Sequence, residues 1–196
     1  MNGIPAKTTI NNRSAEKILF WAASFFLFAF IGWLWEGCFV GCSYGAFLNR
    51  GFLHGPWLPI YGVGGTSMLI LLPRFKKHPA LIFLIATGIS GILEYCTSFV
   101  LETIFHTRWW DYSDQFLNIN GRISIVNLVL FGIAGLAIVY VAEPLMRTVF
   151  RKLEGEIFYT VFAFVVILFL ADILLSVVSP NAGIGITCFR RNLEEK

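Results

Sequence analysis

Apolar residues in this 196-residue chain are gathered into blocks about as long as a bilayer is thick, with short polar segments between them. A helix rises 1.5 Å per residue, so ~20 residues cross a ~30 Å hydrocarbon core. Five blocks approach that length, at about 18–40, 57–72, 80–105, 123–142 and 157–178. The expected fold is all-α, a polytopic membrane helix bundle with about five transmembrane helices. It divides into a polar cytoplasmic N-terminal segment (1–17), a transmembrane domain (18–179) and a polar C-terminal tail (180–196).

Only 14% of residues are charged and 57% are hydrophobic, whereas soluble domains carry roughly 25% charged residues. The lipid bilayer is therefore the expected solvent. The net charge of +3 is spread over loops without a basic stripe, which gives nucleic-acid binding no support. The first block is too long and too aromatic for a cleaved leader and carries Glu36, so it reads as a retained span.

Pro59, Gly62, Gly64 and Gly65 interrupt block two, which as a helix gives only about 24 Å. It reads as a short tilted span or a re-entrant segment shielded by other helices. In block one, Ala22, Ala29, Gly32 and Glu36 form a small-residue stripe that suits helix packing. In block three, Thr87, Gly91, Glu94 and Ser98 form a polar stripe facing the bundle interior. Block four holds Asn127, Gly132 and Gly135 and is expected to end at Pro144. Block five holds Asp172 and ends at Pro180.

Lys7, Arg13, Lys17, Arg74, Lys76, Lys77, Arg147, Arg151 and Lys152 fall on one side of these spans. Arg50, Arg108, Arg122, Arg190, Arg191 and Lys196 fall on the other. Nine against six predicts a cytoplasmic N-terminus and an outward-facing pair of loops. Those loops, NRGFLHGPWLPIYG (49–62) and HTRWWDYSDQFLNINGR (106–122), carry most of the recognisable chemistry.

A carboxylate in hydrocarbon costs ~2.5–3.5 kcal/mol on insertion scales and usually finds a partner. Glu36, Glu94 and Glu102 have Arg50, Arg108 and Arg122 as natural partners, with Glu94 some 12 Å deeper than Glu102. Two readings follow. The cluster clamps the two loops to the bundle, with Asp111, Tyr112 and Asn120 capping loop turns. Alternatively it lines a cavity where Arg50 and Arg122 hold a phosphate or carboxylate through bidentate bonds. The candidate substrate-binding set is Glu36, Arg50, Glu94, Glu102, Arg108, Trp110, Asp111, Tyr112, Asn120 and Arg122.

Trp109, Trp110 and Tyr112 read first as interfacial anchors and second as ligand platforms. His54 and His106 could act as acid–base groups in a lipid-modifying site. Asp172 is expected to bond a polar group on another helix, with proton coupling as the alternative. Cys38, Cys42, Cys96 and Cys188 have no metal-ligand spacing and read as packing residues.

The motifs NRGFL and GPWLPIYG in loop one, Glu94–Tyr95, WWDYS at 109–113 and NINGRI at 118–123 resemble the ABC-transporter type IV (CmpB-like) membrane proteins of bacteria. The resemblance covers roughly residues 30–144. It implies a permease-like membrane component and names no substrate or cofactor. The chain has no Gly-x-x-x-x-Gly-Lys-Ser/Thr phosphate loop, so ATP hydrolysis would come from a separate ATPase subunit. The small size suggests a homo-oligomer or larger assembly. Three classes of function fit the residues: a transporter or permease subunit, a membrane-embedded enzyme acting on a lipid or lipid-linked substrate, and a non-catalytic partner subunit.

Overall fold

A computed structural model describes residues 7–153 and 155–188, with side chains described from residue 15. Six α-helices follow in order: α1 (Lys7–Tyr44), α2 (Pro59–Leu71), α3 (Pro79–Phe105), α4 (Ile125–Ala137), α5 (Glu143–Leu153) and α6 (Glu156–Val178). A 3-10 turn, Leu72–Phe75, extends α2, and a π-helical segment, Ile138–Ala142, joins α4 to α5. Two short antiparallel strands, β1 (Asn118–Ile119) and β2 (Ile123–Ser124), close a hairpin just before α4.

Four helical stretches are long and apolar enough to cross a membrane: Ala15–Tyr44, Pro79–Phe105, Ile125–Leu153 and Glu156–Val178. The fifth expected span is α2, whose 13 residues give about 20 Å of helix. Its ends nevertheless lie at opposite ends of the bundle. At one end, loop one bonds loop three through Arg50 Nη2 and Trp109 O. At the other, Tyr140 OH donates to Lys76 O. So α2 is a short traverse entered through an irregular segment rather than a full-length span.

Burial is distributed as lipid demands. The buried residues include Ser24, Arg50, Ser90, Glu94, Ser98, Arg122, Ser124 and Ser176, while Leu84, Ile92, Phe39, Leu174 and Val178 are exposed on the helix flanks. Polar groups that cannot face hydrocarbon turn inward, and apolar ones are free to face it. One apolar cluster, Met68, Leu72, Ile82, Ala86 and Val139, packs α2, α3 and the π segment together at the end away from the loops.

The small-residue stripe of α1 seats α2. Ala29 is fully buried, and its carbonyl accepts from Leu58 N at 3.0 Å. A Cβ at Gly32 would meet the Tyr61 ring, and one at Gly62 would lie 2.9 Å from Phe25 O. Backbones this close tolerate only glycine. The inward polar stripe of α3 also forms as expected, with Thr87 Oγ1 donating to Leu128 O at 3.2 Å and Glu94 and Ser98 buried.

Three expectations need correction. Helix α1 reaches back to Lys7 through the polar segment and on to Tyr44, because polar residues beyond the bilayer have nothing to stop a helix. Block four does not end at Pro144, since helix continues to Leu153. A proline lacks an N–H and crowds the carbonyl four residues back, and the wider π turn immediately upstream relieves both problems. The four cysteines are exposed on the helix flanks and tail instead of packed in a core.

Candidate functional site

The residues singled out in loops one and three gather at one end of the bundle, together with the segment after α6. Arg50 is the centre of that junction and is 7% exposed. Its Nη1 donates to Gly185 O at 2.5 Å and Ile186 O at 2.6 Å, and its Nη2 donates to Trp109 O at 2.8 Å. Its Nε lies 3.6 Å from Glu36 Oε2. One guanidinium thus ties loop one to loop three, the tail and α1, using the planar array of donors that distinguishes arginine.

Asn181 repeats this role beside it. Its Nδ2 donates to Asn49 O at 2.7 Å and Gly51 O at 3.1 Å, its N–H donates to Phe52 O, and its carbonyl accepts Trp109 Nε1 at 2.9 Å. Cys188 N donates to Arg108 O at 2.7 Å. Trp109 is therefore buried inside the junction, 3% exposed, rather than anchored in a head-group layer. Trp110 likewise turns inward and donates to Arg122 O at 3.0 Å.

A second ion-pair group holds loop three on α3. Glu102 Oε2 accepts Arg108 Nε at 2.8 Å and Arg122 Nη2 at 2.6 Å. Arg122 also donates to Ser98 Oγ at 3.0 Å and lies over the Tyr95 and Phe99 rings. Arg108 approaches Asp111 Oδ1 at 3.6 Å and donates to Asn120 O at 3.3 Å. Asp111 caps the turn by accepting from Ser113 N and Oγ. Asn120 adopts a left-handed backbone, φ 54°, and its amide donates to Tyr95 OH. The clamp expected from the sequence is present in these contacts.

Glu94 stands apart from the arginines. Its Oε1 accepts Tyr112 OH at 3.0 Å, its Oε2 has no partner, and the residue is 5% exposed. The Asn127 side chain of α4 lies beside the same carboxyl, and Glu36 of α1 and Tyr61 of α2 lie within electrostatic reach of it. Burial, and then the carboxyls of Glu94 and Glu36, push the Tyr112 phenol above its ordinary range. Tyr112 therefore acts at neutral pH as a neutral hydrogen-bond donor.

Between these groups lies a cavity of about 250 Å³. Phe52, Leu58, Leu101, Trp109, Phe169 and Ile173 supply apolar walls, and Glu36 and Arg50 mark its polar end. Of the candidate binding residues, Glu36, Arg50 and Trp110 line it. Glu102, Arg108, Asp111, Asn120 and Arg122 form the adjoining clamp. Three of the five Arg50 N–H groups are committed to carbonyls, its Nε faces Glu36 without a hydrogen-bond partner, and the Glu36 side chain keeps 27% of its surface exposed. The polar end therefore presents an acceptor more than a donor.

Asp172 of α6 is the participant whose role was misjudged. It bonds loop one instead of another helix, accepting His54 N at 3.0 Å, Gly55 N at 2.8 Å and Trp57 Nε1 at 2.6 Å, with Ser176 Oγ at 3.2 Å. His54 Nε2 donates to Ser179 O at 2.7 Å, so this imidazole also serves the junction. His106 caps α3 with φ 54° and is exposed. Among the described residues no group of three or more His, Cys, Asp or Glu could hold a metal ion. Asn181 carried no sequence signal beyond its place next to Pro180.

The arrangement defines an integral membrane protein with a polytopic helical bundle and a polar junction closing one end over a small cavity. The chain matches the family described as "Putative ABC-transporter type IV" over residues 23–177. It belongs to that family. The match takes in the fifth apolar block, which the motif resemblance left out. No curated protein and no solved structure matches the chain.

Proposed function

We propose that this chain is the permease-like membrane component of a transport system and that the end cavity is its solute-binding chamber. The observation that carries the reading is the cavity itself, a space with apolar walls and a partly exposed carboxylate at its polar end. Apolar walls with a few fixed polar groups are the common form of small-molecule sites. Because three of the five Arg50 N–H donors are already taken by carbonyls and Glu36 is not fully covered, the chamber suits a small amphiphile. Its apolar body faces Leu58, Leu101 and Ile173, and its polar end is a donor such as an amine or hydroxyl. Loop one and the early turns of α2 form one wall, in keeping with transporters whose sites are built beside interrupted helices. ATP hydrolysis, if it drives transport, comes from a partner ATPase, and the chain works in an oligomer within a bacterial plasma membrane.

Thermal unfolding of the detergent-purified protein against matched alkylamines, alkanols and alkanoates tests this. Amines and alcohols of one chain-length range are expected to raise the transition, and Ile173→Trp, which fills the cavity, is expected to abolish the shift. A panel in which no class stabilises the protein, or in which Ile173→Trp responds like the parent, would overturn the assignment.

A further inference from the structure

At the loop end of the bundle Glu94 and Asp172 are, among the described residues, the inward carboxyls left without a cation, and Asp172 is met by three N–H donors. Arg50 faces Glu36, while Arg108 and Arg122 share Glu102, with Asp111 beside Arg108. Glu94 pairs with no cation among the described residues. It is the most buried of these acids, 5% exposed, and its Oε2 is without a hydrogen-bond partner. A buried carboxylate oxygen is seldom left unsatisfied, since it forfeits its solvation without compensation.

The groups around that oxygen come from three other helices and a loop. Asn127 of α4 and Tyr112 of loop three flank the Glu94 carboxyl, and Glu36 of α1 and Tyr61 of α2 lie within electrostatic reach of it. All can offer oxygen, and none offers sulfur or an imidazole. Oxygen-only surroundings suit hard cations. With Arg50 already set against one of the two glutamates, the surplus is a single negative charge.

We infer that the orphaned Glu94 oxygen, together with Asn127, Tyr112, Tyr61 and Glu36, forms a binding site for one monovalent metal cation, sodium or potassium, inside the bundle. The cation supplies the missing partner of Oε2 and links α1, α2, α3 and α4 at one point. Glu36 also lines the end cavity whereas Glu94 does not, so a change at Glu94 tests the ion site separately from the cavity.

The test is the thermal transition of purified protein at fixed ionic strength in sodium, potassium, methylammonium and choline chloride, followed by direct binding of radioactive sodium or rubidium. A saturable rise in an alkali-metal salt, absent in choline and lost in Glu94→Gln, is the expected result. An equal rise in methylammonium assigns the site to an organic ammonium group and overturns the metal. No salt dependence in the parent protein, or a retained one in Glu94→Gln, also overturns it. Should Glu94→Gln fail to fold, Asn127→Leu must weaken half-saturation at least tenfold, or the assignment fails.

Discussion

Replacing Arg50 with methionine keeps much of the side chain's apolar length and removes its charge. Three bonds to carbonyls disappear, at Gly185, Ile186 and Trp109, and Glu36 loses its counter-ion. Breaking a buried pair from one side costs about 3–5 kcal/mol. Glu36 keeps about a quarter of its side-chain surface exposed, so screening places the expected loss near the lower figure, about 3 kcal/mol. For a chain of this size 1 kcal/mol moves the transition by about 2–4 °C, giving a fall of about 6–12 °C. Hydrogen exchange should show where the loss falls, with the amides of Asn181 and Cys188 exchanging faster because loop one and loop three no longer hold the tail. Adding Glu36→Gln removes the stranded carboxylate and should recover about 1 kcal/mol. A fall below about 3 °C, or no recovery in the double variant, would refute the view of Arg50 as the central tie.

Asp172→Asn should cost about 2 kcal/mol by weakening three N–H contacts to one carboxylate, and should raise exchange at His54 and Gly55 while leaving α3 unchanged. Gly62→Ala should destabilise by about 1–3 kcal/mol, because its Cβ would lie 2.9 Å from Phe25 O. Gly88→Ala in α3, with nothing within 4 Å, should be neutral or stabilise by up to about 1 kcal/mol, read in the same unfolding assay. Arg122→Lys should lose about 1–2 kcal/mol despite keeping the charge, since an ammonium cannot span both Ser98 and Glu102 while lying over two rings. A lysine variant as stable as the parent would sink that account.

The spans were legible because lipid imposes one demand on every residue it touches, and the lengths of the apolar blocks follow from it. The inward stripe through Glu94 and Ser98 and the small stripe through Ala29 and Gly32 were legible through helical spacing. The meeting of loops one and three followed from their lying on the same side. What escaped has a common cause. Arg50 and Asn181 act mostly on backbone carbonyls, which have no sequence signature, and those hydrogen-bond partners lie 59 to 136 residues away. Asp172 escaped likewise, because two of its donors are backbone N–H groups of His54 and Gly55. Pro144 misled because its usual effect is cancelled by a π turn that no local pattern announced.

Loop one shows what it takes to carry irregular backbone inside such a bundle. Asp172 lies six residues before the end of α6, or about 9 Å along the helix, so residues 54–57 dip well below the loop surface. Unpaired backbone at that depth would be costly. Each exposed group is met by a different element: His54 and Gly55 N–H by α6, Leu58 N–H by Ala29 O of α1, and the Asn49, Gly51 and Phe52 carbonyls by Asn181 beyond α6. The segment is therefore tied at once to α1 and α6, and it forms one wall of the cavity. Any rotation of α6 against α1 has to move that wall or break one of these bonds. That dependence couples the shape of the chamber to the relative position of two spanning helices.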